Sequence, residues 1–184
     1  MRLDATPAWS NEVVQLFLLT PDAVSDDYVG WLADPLVNRY LESRFRAQPR
    51  GTVEAFVAEM LASEANLLLG IRSRALDAHV GNIKLGPIDR NHGLGEIGIL
   101  IGDRAAWGRG IGSAAIQAIE TIARRQLGLR KLTAGCYASN IGSSVAFEKA
   151  GFIVEGRRKD HYLLDGQPED AILLGKVIAD SEVD

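Results

Sequence analysis

Between Asp103 and Ala114 the chain alternates glycine with other residues, Trp107-Gly108-Arg109-Gly110-Ile111-Gly112-Ser113, where an extended apolar run gives way to an amphipathic helix. Glycine has no Cβ, so its backbone takes positive φ and lets an anion come close. The first amides of the following helix have no intrahelical acceptor, and the helix dipole places positive potential at the same point. The chemistry this favours is the holding of a phosphate. Gly110-Ile111-Gly112-Ser113-Ala114-Ala115 also fits the dinucleotide pattern G-x-G-x-x-G/A, yet Arg130 and Lys131 stand about 20 residues on, where a ribose-binding carboxylate is needed. No Gly-Lys-Ser/Thr follows the glycines, which removes the P-loop. Taken alone, the loop is equally a tight turn into a helix.

The elements that must position this loop are legible from periodicity. Apolar spacing predicts a strand over 12–19, a helix over 25–34 closed by Asp34-Pro35, and a short helical piece over 36–41. A polar loop over 42–51 leads to a helix over 52–63 with Thr52 as its cap. Strands over 67–72, 79–85 and 94–101, joined by short connections such as 86–93, predict an antiparallel meander. A helix over 110–127, a strand over 131–138 and a helix over 140–150 ending at Gly151 come next. Strands over 152–155, 159–164 and 171–177 finish the chain, with Asp165-Gly166 as a hairpin turn. Strands ahead of the glycine loop argue against a dinucleotide fold, which would begin with the loop's own strand and helix.

At 184 residues, 47% hydrophobic and 24% charged, the chain suits one well-buried core and a single domain over 1–184. A net charge of -4 gives no footprint for nucleic acid. The single cysteine, Cys136, excludes an internal disulfide; its apolar alternating context predicts a buried strand residue and a reducing compartment. No run approaches the roughly 18 apolar residues a membrane helix needs, and the start lacks the basic and apolar pattern of a signal peptide. A cytoplasmic protein with no membrane partner is expected. His79 and His92 have no second ligand at metal spacing, so no metal is expected.

The glycine loop, with Glu96-Ile-Gly-Ile-Leu-Ile101 before it and Asn140-Ile-Gly-Ser-Ser-Val-Ala-Phe147-Glu-Lys149-Ala-Gly151-Phe152 after it, resembles the GNAT acetyltransferase superfamily. The likeness spans about 67–176, and Trp31-Leu-Ala-Asp-Pro35-Leu-Val-Asn-Arg-Tyr-Leu41 is similar to the RimJ/RimL-like branch. It implies a single α/β domain, a mixed, mostly antiparallel sheet flanked by helices, with a V-shaped splay between the two central strands. It implies acetyl-CoA as co-substrate, a small-molecule or peptide amine as acceptor, and a monomer or homodimer. The pyrophosphate would lie on the loop Trp107, Gly108, Arg109, Gly110, Ile111, Gly112 and Ser113, with the Ser113 hydroxyl as a further donor. Backbone groups of Leu100 and Ile101 would bond the pantetheine amides, an amide near Ile99 would hold the oxyanion, and Asn140, Ser143, Phe147 and Lys149 would complete the cofactor side.

The reaction so implied, attack of a neutral amine on a thioester, needs a base for the ammonium proton and a proton for the leaving thiolate. Strand alternation separates Glu96, Gly98 and Leu100 from the isoleucines at 97, 99 and 101, which makes Glu96 the candidate base. Its alternative is a surface carboxylate in an ion pair. Where the family often has a tyrosine acid this chain has Phe147, which has no proton to give. Ser144, Ser143 or a water is left for that role, and loss of catalysis leaves an acyl-CoA-binding module as the non-enzymatic alternative. Tyr40, Arg44, Phe45, His161 and Tyr162 fall where the family lines its acceptor pocket. The likeness of the 34–45 segment to enzymes of surface-polysaccharide pathways, with the cluster Arg157-Arg158-Lys159, leans toward an amino sugar of a sugar nucleotide; a protein N-terminus is the alternative.

Overall fold

A computed structural model describes residues 9–179. Seven strands form one sheet in the order β1-β2-β3-β4-β5-β7-β6: β1 (Val14–Leu18), β2 (Leu67–Ser73), β3 (Ala78–Asp89), β4 (Leu94–Ile101), β5 (Lys131–Tyr137), β6 (Ile153–Leu164) and β7 (Gln167–Val177). Every neighbouring pair is antiparallel except β4 and β5. That parallel pair needs a crossover, supplied by α4 (Ile111–Arg125).

The two faces of the sheet follow the period of two in the strands. Ile83, Leu85, Ile97, Leu132, Ala134 and Cys136 point to one side, where they pack on Ile111, Ala115, Ile119 and Ile122 of α4 and on Phe147 of α5 (Ile141–Lys149). The other side carries a second, smaller core in which Leu68, with Leu100 packed against it, meets α1 (Asp26–Ala33), α2 (Pro35–Asn38) and α3 (Arg50–Ala62). Helix α1 is fixed at its start by Ser25, whose hydroxyl accepts from the Tyr28 amide. Close contact between the layers falls on glycine: a Cβ at Gly102 would lie 2.0 Å from the Trp31 ring. These helices cover β1, β2 and the Leu100 end of β4, and leave the same face open at Glu96 and Gly98 and across β5, β7 and β6.

Three local expectations are corrected. Helix α3 begins at Arg50 behind Pro49, and Thr52 is its third residue with no capping role; Pro49 fixes the chain entry, and Arg50 ties the first turn to Asp26 and the Val24 carbonyl. The connection expected over 86–93 shrinks to four residues because β3 runs on to Asp89 through an irregularity between Leu85 and Ile88. The strands expected at 152–155 and 159–164 are one twelve-residue strand, β6, with register shifts at Val154/Gly156 and Arg158/Tyr162. Bulges of this kind break the alternation that sequence reading depends on.

Candidate active site

The parallel pairing of β4 and β5 holds only from Leu94 and Lys131 to Ile97 and Ala134. Beyond it both strands continue, to Ile101 and Tyr137, without pairing, so the sheet opens into a V. The Gly102 amide donates to Val80, which turns the even-numbered residues of β4 toward β3. The N–H and C=O groups of Ile99 and Ile101 therefore face the opening, a ready edge for an extended chain. This corrects the expected pair of Leu100 and Ile101: Leu100 spends its backbone on β3, and its neighbours on either side line the cleft.

The glycine loop stands at the mouth of the V. Gly108 and Gly110 have φ of 71° and 75°, a region closed to most other residues. Helix α4 carries no side-chain cap, and the amides of Ile111, Gly112 and Ser113 donate to no acceptor among the described residues. Gly112 brings α4 against α5, where a Cβ would meet Ala146 at 3.3 Å. Trp107 donates its indole N–H to the Ile101 carbonyl at 2.8 Å, stitching the loop to the end of β4. Arg109 is anchored through Nε to the Ala105 carbonyl at 2.7 Å, which leaves the rest of its guanidinium outward. The Ser113 hydroxyl donates to the Gly110 carbonyl at 2.9 Å, so its proton is spent inside the loop and the expected extra donor is withdrawn. Free amides, left-handed glycines and an open strand edge fit a pyrophosphate with an extended arm.

On α5, Asn140 caps the helix by accepting from the Ser143 amide at 3.2 Å. Ser144, expected as an acid, donates its hydroxyl to Glu148 at 3.0 Å along the helix surface. Ser143 faces Cys136, whose thiol burial pushes to a higher pKa and this hydroxyl draws back. Phe147 is 1% exposed and packs edge-on to Phe152 at 5.1 Å; it is a core ring, and the cofactor contact expected of it is not available. Lys149 is exposed in the last turn.

Glu96 lies exposed on the face of β4 that also carries Leu100, opposite α4 and α5, and has no ion pair or hydrogen bond among the described residues. Across the V on the same face, Tyr137 stacks on Tyr162 with ring centres 4.1 Å apart and planes at 17°. Tyr40 leans on Tyr137 at 5.5 Å, and His161 on Tyr162 at 4.7 Å. The second β6 bulge makes this stack possible: Asp160 takes φ of 49°, its amide donates to Asp170 at 2.7 Å, and Asp170 also holds Arg157. Arg157 is thus committed to the fold, while Arg158 and Lys159 of the expected cluster have no ion pair or hydrogen bond among the described residues. Burial raises the Tyr162 phenol, and Glu42, Arg158 and Glu96 all act on it, so these charges converge on one group.

Tyr137 donates to Glu42 at 2.7 Å and receives Arg44 at 3.1 Å; desolvation comes first among the causes that raise its phenol. Arg44 also donates to the Leu41 and Leu163 carbonyls and stacks its guanidinium 4.1 Å over Phe45. With its side chain 14% exposed, Arg44 is a clasp tying the segment after α2 to β5 and β6, rather than the free acceptor contact expected. Arg39 to Asp165 and Tyr40 to the Ser139 carbonyl reinforce the same bridge. Phe45 is 65% exposed and, with Arg44, Leu163 and Asp165, lines a cleft of about 560 Å³ beside the bridge. Tyr137 and Glu42 were not singled out by sequence. Tyr137 shares a β5 face with Thr133 and Gly135, a signal the alternation contained; Glu42 had none.

Among the described residues, no group of three or more His, Cys, Asp or Glu could hold a metal, and no helix is long and apolar enough to cross a membrane. Residues 15–153 match the model of the acetyltransferase (GNAT) domain. The probable N-acetyltransferase YjcK of Bacillus subtilis (strain 168) is 30% identical over 125 residues, 67% of this chain and 68% of its own length. Among solved structures, RimL, a ribosomal L7/L12 alpha-N-protein acetyltransferase in complex with coenzyme A, superposes with a TM-score of 0.80 at 17% identity over 91% of this chain and 95% of its own. Spermidine N-acetyltransferase of Vibrio cholerae, in complex with CoA and spermine, gives 0.77 at 18% identity over 91% and 96%. The splayed parallel pair, the uncapped glycine loop at its mouth and the matching domain model together place this chain in the GNAT acetyltransferase family.

Proposed function

We propose that the chain moves the acetyl group of acetyl-CoA to the primary amine of an amino sugar carried on a nucleotide, in a direct ternary complex. The observation that carries the acceptor reading is Tyr162, half-buried and stacked on the buried Tyr137, with the charges of Glu96 and Arg158 both acting on its phenol. A sugar ring lies well on an aromatic face, Glu96 takes the ammonium proton directly or through one water, and Arg158 meets the phosphate charge. The loop amides of Ile111 to Ser113 hold the pyrophosphate of the donor, and the Ile99 amide faces the carbonyl oxygen as it gains charge. With both α5 serines engaged elsewhere, water returns the proton to sulfur; a thiolate is a good enough leaving group to need no strong acid.

A second reading, a protein N-terminus as acceptor, is favoured by the open cleft beside Arg44 and Phe45, which has room for a peptide. Release of free CoA thiol, measured with acetyl-CoA against nucleotide-linked amino sugars and against peptides of varied N-terminal residue, separates the two. Turnover confined to the sugars supports the first reading, and turnover on peptides alone replaces it with the second.

A further inference from the structure

Lys84 lies at the centre of β3, opposite Gly98 of β4 on one side and Leu68 of β2 on the other. Residues directly opposite in antiparallel strands share a face, and no register shift intervenes between Asn82 and Leu85, so Lys84 stands on the face of Gly98 and Glu96. Glu96 is its diagonal neighbour, a relation in which residues lie about 7–8 Å apart and long side chains reach one another. Lys84 is half-buried and Glu96 exposed. Opposite charges in this relation commonly pair across a sheet, yet neither has an ion pair among the described residues. Between them is Gly98, above which a Cβ would meet nothing within 4 Å. The face therefore presents a cation and a carboxylate on either side of an open space at the rim of the splay.

We propose that Lys84 is a specificity-determining residue that binds an anionic group of the acceptor, a carboxylate or phosphate a few bonds from the amine that Glu96 receives. The inference rests on the reading of this face as the acceptor site and narrows it: among amino sugars, those with an acid group close to the amine are preferred. An ammonium docked at Glu96 and an anion docked at Lys84 complete both side chains at once. A neutral amine of the same size leaves Lys84 half-buried and unpaired, and loses a charge-assisted hydrogen bond.

The test uses matched amines that differ only in the anion: 3-aminopropionate against its amide, and 2-aminoethyl phosphate against ethanolamine. Binding to the CoA-loaded protein is measured by calorimetry and turnover by thiol release. The intact protein should bind at least one charged member roughly ten-fold or more tightly than its neutral partner. Lys84→Met should erase that ratio while leaving CoA affinity unchanged, and Lys84→Glu should turn the preference toward a diamine. Which charged member is preferred tells carboxylate from phosphate. Equal binding of both members by the intact protein, or an undiminished ratio in Lys84→Met, overturns the proposal. Because binding is read without turnover, failure of acetyl transfer to every amine counts against the catalytic reading alone.

Discussion

The side of the splay proposed for the donor is made of backbone, and the side proposed for the acceptor is made of side chains. Amides of Ile111, Gly112 and Ser113, the strand edge at Ile99 and Ile101, and the left-handed turns at Gly108 and Gly110 form the first, all within one stretch of chain from β4 into α4. The second draws Tyr40, Glu42 and Arg44 from the segment after α2, Tyr137 from β5 and Tyr162 from β6. A backbone site tolerates many side-chain changes and binds one shared cofactor. A side-chain site assembled across distant elements is where acceptor choice can change without disturbing the donor, and substitutions on the two sides should separate accordingly.

The sharpest separation is expected at Glu96, the proposed base, which stands on the same strand as the proposed donor edge. Glu96→Gln should lower kcat by about 10²–10⁴-fold, the range for losing a general base, with acetyl-CoA affinity nearly unchanged in a calorimetric titration. Equal turnover would make Glu96 a surface carboxylate and break the proposed chemistry. Next comes Gly110→Val, which forces a β-branched residue to φ of 75° at the start of α4. The strain of about 1–2 kcal/mol and the displaced amides should weaken CoA binding by about ten-fold or more, leaving relative preference among acceptors as it was.

Arg44→Met strikes the acceptor side. It removes donors from the Leu41 and Leu163 carbonyls and from Tyr137. A loss of about 2–3 kcal/mol in denaturant unfolding is expected, with acceptor KM raised and CoA affinity retained. Tyr137→Phe keeps the stack on Tyr162 and deletes only the phenol, so acceptor KM should rise by a few-fold, equivalent to about 1 kcal/mol. A change in CoA affinity as large as that in acceptor KM would erase the division between the two sides.

The smallest effect is on the pH dependence of folding. His79 sits among Phe17, Tyr28 and Trp31 beneath the N-terminal helices, its Nε2 shared between the Gly81 carbonyl and Asn82 Oδ1. Burial, the largest cause, holds its pKa below the ordinary 6.5. The unfolded chain therefore takes up the proton first, and stability falls as pH drops below about 6.5, until the folded-state pKa is passed. Unfolding midpoints across this window should be flatter in His79→Gln, which keeps a donor but does not titrate. The layer so loosened belongs to the acceptor side, so acid should raise acceptor KM before it affects CoA binding.

Legibility divides along the same line. The spacing places the 94–101 strand to the residue and α4 to within two, where the apolar period is long, while α5 is placed by the Gly151 stop signal at its end. The hairpin turn at Asp165-Gly166 was also legible, and both residues do have positive φ, 53° and 78°. Where reading failed, an interruption of period was at work: β6 with its two bulges, β3 running through Gly86-Pro87, and α3 entering behind Pro49. Among the candidate site residues, the glycine loop leads into α4 and Glu96 lies exposed on β4, while Ser113, Ser144, Arg44 and Phe147 are committed to partners or packing within the fold.

By itself the sequence determined the elements, the two faces of the central strand and the glycine turn before α4, since each depends on residues a few positions apart. Only the tertiary structure decided where β4 and β5 part, which strand residues turn their backbone to the opening, and that Tyr137 and Tyr162 lie ring on ring. Those outcomes depend on register, on a bulge held by Asp170, and on a half-buried arginine clasp spanning over a hundred residues of chain from Arg44 to Leu163. Long-range pairing leaves no local pattern in the chain, because its terms are satisfied by atoms whose proximity exists only after folding.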